Sequence, residues 1–257
     1  MNVLVCLAAI LFLLMILIGG KKGARSFIAL FLNFSVLFLA TLFMTDPNAD
    51  PILLTLIAST IISCITLFFI NEVNMKTKTA FLSTIITLAI LLFFIIFVTE
   101  HTMTQGFGEE EIEELSIFSM YIGVDFVKIG ASMIIMSTIG AITDVAISIS
   151  SPMREILLHN PHISRYSLFK FGLSIGRDIL GTNTNTLFFA FFGGYLGLLI
   201  WFKDLNYSFG EIVNSMVFSA EMITILCAGI GIALIIPITS WITAFFFIRS
   251  RDHHQAK

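Results

Sequence analysis

The sequence predicts an all-α integral membrane protein of about seven transmembrane helices, with short interfacial helices in the loop between the fifth and sixth. Three observations predict it. Hydrophobic residues make up 57% of the 257 and charged residues 12%, against roughly 45–50% and 25% in an ordinary soluble domain. The apolar residues fall in runs of about twenty, the length that crosses ~30 Å of hydrocarbon at ~1.5 Å per residue. Between the runs stand Gly, Pro, Asn, Asp and charged residues, which stop helices. One polytopic domain over 1–257 follows, with a polar stretch at 127–202 and a cytoplasmic tail at 249–257. Its first partner is the lipid bilayer, and a net charge of −3 gives no sign of nucleic acid.

The first span runs from Asn2 to Ile18 and ends at Gly19-Gly20-Lys21-Lys22. Its lysines follow the apolar run, whereas a signal peptide carries charge ahead of it, so a retained helix is expected. The second span, Phe27 to Met44, stops at a turn-forming stretch that holds Pro47 and Pro51. The third covers Ile52 to Ile70 and the fourth Ala80 to Val98. An acidic excursion from Thr99 to Asp125 follows; it carries Glu109, Glu110, Glu111, Glu113 and Glu114 beside Ile112, Leu115, Phe118 and Ile122. The three- and four-residue spacings of its apolar members predict an amphipathic surface helix. The fifth span is Val127 to about Ser150, the sixth about Ile179 to Phe202, and the seventh about Met216 to Ile248. That last run is too long for a straight crossing, so a kink at Gly229, Gly231 or Pro237, or a surface segment, is expected. Ser151-Pro152 reads as a helix start and Asn160-Pro161 as a stop, which predicts one short helix between them and a second from Ser164.

Orientation follows from the cations. With seven spans Lys21, Lys22, Arg25, Lys76, Lys78, Arg154, Arg165, Lys170, Arg177, Arg249, Arg251 and Lys257 fall on one side, and Lys128 and Lys203 on the other. Positive loops stay in the cytoplasm. The N-terminus is therefore expected outside and the C-terminus inside.

Polar groups inside apolar runs mark the candidate site, because without partners they cost several kcal/mol in an apolar medium. On the fifth span Asp144, Ser148 and Ser151 share a face, extended by Gly140 and Ala141. On the sixth, Arg177 and Asp178 precede Thr182-Asn183-Thr184-Asn185-Thr186. Helical rise places Asp144 and Thr182 at one depth, so contact between Asp144 and Thr182 or Asn185 is expected. Glu221, early in the last span, is a further intramembrane carboxylate. Asp144, Ser148, Asp178, Thr182, Asn183, Asn185 and Glu221 are thus the candidates for a solute or ion path. Arg177, Gly181 and Glu155 take structural or interfacial roles.

Enzymatic motifs are not found. Gly176 to Thr182 reads GRDILGT, with Thr where a phosphate loop needs Lys and no strand ahead of it. His159 and His162 flank Pro161 without further ligands. Cys6, Cys64 and Cys227 lie in apolar runs and read as small hydrophobes. No metal, cofactor or enzyme activity is expected.

Two blocks carry a resemblance: GAITDVAISISSPMREI at Gly140 to Ile156 and GRDILGTNTNTL at Gly176 to Leu187. They resemble the paired signatures of the YibE/F family of bacterial multi-pass membrane proteins. The resemblance implies Asp144, Ser148, Glu155, Arg177, Asp178, Gly181 and Asn185 as motif positions, a place in the bacterial cytoplasmic membrane, and the shorter, YibF-like kind. It implies no specific activity. From the residues, the expected function is a permease or channel-like component for a small solute or ion. The alternative is a non-transporting assembly subunit that pairs with a longer family member or with another copy.

Overall fold

A computed structural model describes residues 2–102 and 125–255 as a bundle of helices. The acidic series from Glu109 to Glu114 and the pattern of Ile112, Leu115, Phe118 and Ile122 lie outside the described residues. The helices are α1 (Val3–Met44), α2 (Pro51–Cys64) running on as a π-helical turn (Ile65–Phe69), α3 (Met75–Thr102) and α4 (Phe126–His159). After them come α5 (Arg165–Gly194), α6 (Leu196–Asp204), α7 (Phe209–Asn214) and α8 (Met216–Gln255). Five are long and apolar enough to cross a membrane, namely α1, α2 with its π-turn, α3, α4 and α8. The pair α5 and α6, bent by 55°, makes a sixth if taken as one span.

Local chemistry starts these helices. Asp50 accepts from Ile52 N with Pro51 at the first helical position, where a missing N–H costs nothing. Asn74 and Thr77 cap α3 reciprocally, each backbone N–H bonding the other's side chain. Asp125 accepts from Val127 N and Lys128 N, and Ser164 from Ser167 N.

The first two predicted spans both fall within α1, which is not straight. Gly20 has φ 55° and ψ −135°, a conformation that only glycine adopts readily. The Phe12 and Phe27 rings lie 4.7 Å apart, whereas a straight helix would separate them by roughly 22 Å. The chain therefore folds back at Gly20. A Cβ at Gly23 would run into the Met15 carbonyl, so the two arms touch backbone to backbone.

The expected short helices between the fifth and sixth spans are not separate elements. Helix α4 continues through Pro152 to His159, and the second expected helix is the beginning of α5. Proline removes one backbone bond but does not break the element here, because buried Met153 pins α4 just beyond it. In apolar surroundings a break would expose further backbone groups. The sixth span begins at Arg165 rather than Ile179 and is interrupted at Tyr195. Helix α8 runs as one continuous helix through Gly229, Gly231 and Pro237.

The core is formed by α8 against α3, α4 and α5, with α2 on the far side of α4. Contacts are close where residues are small. A Cβ on Gly231 would stand 3.0 Å from methyls of Leu91, Thr138 and Ile142, so three helices meet there. Much of the interior is hydroxylic: Ser63, Thr77, Ser83, Thr84, Thr87, Thr138, Thr239, Ser240 and Thr243 are all fully buried. Small hydroxyl residues let membrane helices approach closely.

Contacts place the basic residues at one end of the bundle. Arg25 pairs with Glu72 at 2.9 Å, Lys76 Nζ donates to Ser151 Oγ at 3.0 Å, and Arg251 donates to the carbonyls of Pro161 (2.7 Å) and Ile163 (3.0 Å). At the opposite end Lys128 lies 3.7 Å from Asp50.

Candidate functional site

Along α4 the inward positions are taken by α8, α3 and α2. Ile142 and Thr138 meet Gly231, and Thr143 Oγ1 lies 3.4 Å from Ser63 Oγ. The remaining face carries Ser137, Gly140, Asp144, Ser148 and Glu155, and all five are exposed. Spacings of three, four and seven align them on one stripe. Among the described residues Asp144 makes no hydrogen bond or ion pair. A carboxylate at this depth costs roughly 2.5–3.5 kcal/mol on insertion scales, so its place on an outer face needs covering groups.

Helix α5 is built in the same way. Its inner face lies on α8: a Cβ on Gly172 would stand 2.7 Å from Ser240 Oγ, and one on Gly176 would press into Ile236. Its outer face shows Ser174, Arg177, Asp178, Gly181, Thr182, Asn185 and Thr186, all exposed. Thr182 Oγ1 donates to Ile179 O, Asn183 Nδ2 to Ile179 O, Thr184 Oγ1 to Leu180 O and Thr186 Oγ1 to Thr182 O. These groups satisfy themselves on their own helix. No hydrogen bond joins Asp144 to Thr182, Asn183 or Asn185 among the described residues.

Depth can be measured from one contact. Met153 and Gly172 touch near the α4–α5 turn, and from that level Asp144 and Gly181 each lie about 13–14 Å along their helices. Asp144 is thus level with Gly181 and Thr182, Gly140 with Asn185, and Ser148 with Arg177 and Asp178. Cβ positions on Gly140 and Gly181 meet nothing within 4 Å, so both outer faces are open to close approach.

Glu221 lies elsewhere. It is half-buried in the first turns of α8 and accepts from Tyr195 Oη at 3.2 Å, next to the α5–α6 bend. The sequence pointed to Glu221 but not to its partner, because Tyr195 falls inside an apolar stretch and only the bend brings it round. Also unforeseen is the buried hydroxyl set: Thr84, Thr87, Thr138, Thr239 and Thr243 each have Oγ1 without a hydrogen-bond partner among the described residues. The recurrence of Thr77, Thr84 and Leu91 at intervals of seven was the available signal. His159 Nδ1 lies 2.9 Å from Glu155 O on its own helix. Among the described residues no group of three or more His, Cys, Asp or Glu is placed to hold a metal ion.

A model of a protein family described as "YibE/F-like protein" matches residues 7–249. No curated protein and no solved structure matches the chain.

Proposed function

Because the chain belongs to the YibE/F-like protein family, we propose that it is a multi-pass component of the bacterial cytoplasmic membrane that passes a small solute or ion and does no chemistry on it. Asp144 serves as the coupling or ligand carboxylate. Ser148, Asp178, Thr182, Asn183 and Asn185 supply hydrogen-bonding groups along the path. The observation that supports this reading is the pair of polar outer faces on α4 and α5, level in depth and without hydrogen bonds between them. A carboxylate kept within a span without a partner among the described residues, as Asp144 is here, is characteristic of ion and proton paths.

In this reading the chain crosses seven times, with the N-terminus outside and the C-terminus inside. The reversal at Gly20 supports two crossings within α1, and α5 with α6 counts as one. The gathering of Arg25, Lys76, Arg154 and Arg251 at one end supports a cytoplasmic position for that end.

A second reading, a non-transporting assembly subunit, is favoured by the same outward orientation, since an exposed polar face is also what a partner helix would cover. Flux in reconstituted vesicles separates the two. The permease reading expects solute or ion flux whose pH or ion dependence disappears in Asp144→Asn, with abundance unchanged. If wild-type vesicles show no flux while Asp144→Asn lowers abundance, the assembly reading stands.

A further inference from the structure

We infer that a second copy of this chain covers these faces, α4 of one copy lying against α5 of the other, so that each polar site is completed across an interface. The inference rests on the reading above, in which the two faces form the working surface. Copies inserted with the same topology are related by rotation about the membrane normal, so residues of two copies meet only if they share a depth. The two faces meet that condition. Asp144 is level with Gly181 and Thr182, Gly140 with Asn185, and Ser148 with Arg177 and Asp178, on the scale set by the Met153–Gly172 contact.

The faces are also complementary in chemistry. The α4 face offers an acceptor without a partner among the described residues, Asp144, and the α5 face offers the Asn185 amide and the Arg177 guanidinium, each about one helical turn from its level, while the Thr182 hydroxyl at its level already donates to Ile179 O. In the other direction the Ser148 hydroxyl is level with the Asp178 carboxylate. Open space over Gly140 and Gly181 lets the backbones approach closely enough for these short side chains to bond. Within one copy they cannot be joined through the inner faces, because α5 spends its small residues Gly172 and Gly176 on α8.

Oxidative cross-linking in native membranes tests this. Two differently tagged copies lacking Cys6, Cys64 and Cys227 are co-expressed, one with Gly140→Cys and the other with Asn185→Cys, so that any disulfide joins two copies. A second pair, Ser148→Cys with Asp178→Cys, guards against a loss of packing at Gly140. The expected result is a cross-tag band at least tenfold stronger than for Gly140→Cys with the depth-mismatched Ser174→Cys. Native mass spectrometry of wild type with retained lipid should show an even-numbered or cyclic assembly of this chain alone. It should weaken about tenfold in Asn185→Leu, which keeps the branched shape but loses the amide. A monomeric wild type, or no cross-tag band from either pair at normal abundance, overturns the inference. An assembly without flux leaves the interface standing and removes the permease reading; flux from a monomer does the reverse.

Discussion

Gly176→Ala should destabilise the bundle while Gly181→Ala, five residues on along the same helix, should not. At Gly176 the new Cβ would overlap the Ile236 Cγ2 methyl and stand 3.0 Å from Cγ1 and 3.1 Å from Cβ. Carbon atoms prefer about 3.5–4.0 Å, so α5 must move outward by more than about 1 Å or Ile236 must rotate. Ile236 is β-branched and stiff at χ1, and it is buried in the core between helices. Overpacking of this kind costs about 1–3 kcal/mol, and the clash with a branched side chain puts it toward the upper end. Alanine returns up to ~1 kcal/mol of helix propensity, leaving a net loss of about 2 kcal/mol. At Gly181 nothing in the same copy lies within 4 Å, so for copies separated in detergent only the propensity gain remains. Thermal unfolding in dilute detergent, followed by thiol labelling of buried Cys227, reads the difference. At ~2–4 °C per kcal/mol for a chain of this size, Gly176→Ala should fall by about 4–8 °C while Gly181→Ala holds or rises. Adding Ile236→Ala to Gly176→Ala should recover part of the loss. Equal midpoints for the two alanine variants would refute the packing argument.

Other outcomes follow from single contacts. Gly20→Ala forces a side chain into backbone space reserved for glycine, at a cost of ~1–3 kcal/mol, and should abolish a disulfide between cysteines placed at Phe12 and Phe27. Arg251→Ala removes two charge-assisted bonds to Pro161 O and Ile163 O and should cost about 1.5–3 kcal/mol; proteolysis of the loop between α4 and α5 would then accelerate. Thr87→Val removes a buried hydroxyl that has no partner among the described residues and should stabilise by about 1 kcal/mol; a lower midpoint would show that the hydroxyl is bonded in the membrane. Hydrogen bonds from the Ser208 side chain and backbone hold the Glu211 carboxyl below its usual value. The capping box is therefore stabilised at pH above the ordinary glutamate range, and this is lost as pH falls through the depressed value. Amide exchange across α7 should rise in that acid window and become flat in Ser208→Ala. A reporter fused after Lys257 should be active only when its chemistry requires the cytoplasm.

The class was legible because bilayer length and helix length are locked together, and runs such as Ala80 to Val98 admit no other reading. Boundaries were less legible. Ser151-Pro152 carries a helix-start signal, yet the packing of Met153 and Ile149 holds α4 together on both sides of the proline. Local preference lost to the cost of opening backbone in an apolar medium. Depth was legible for Asp144 and Thr182 because rise per residue is constant, but facing was not. Their faces depend on where α8 inserts, and α8 begins more than thirty residues beyond Thr182. Thr84, Thr87 and Thr138 were passed over because a threonine in an apolar run looks alike whether it faces lipid or core.

The central place of α8 carries a consequence for biogenesis. The helix against which α3, α4 and α5 all pack leaves the ribosome after all three of them. Until it arrives, Thr138 lacks the Gly231 backbone that packs against it, and on α5 Gly176 lacks Ile236 while Gly172 has only Met153 of α4 to close upon. Earlier helices can thus enter the membrane in turn but cannot settle into their final arrangement. A nascent chain stalled short of residue 216 should persist as a loose, protease-sensitive set of spans, and completing α8 should convert it to the resistant form in one step.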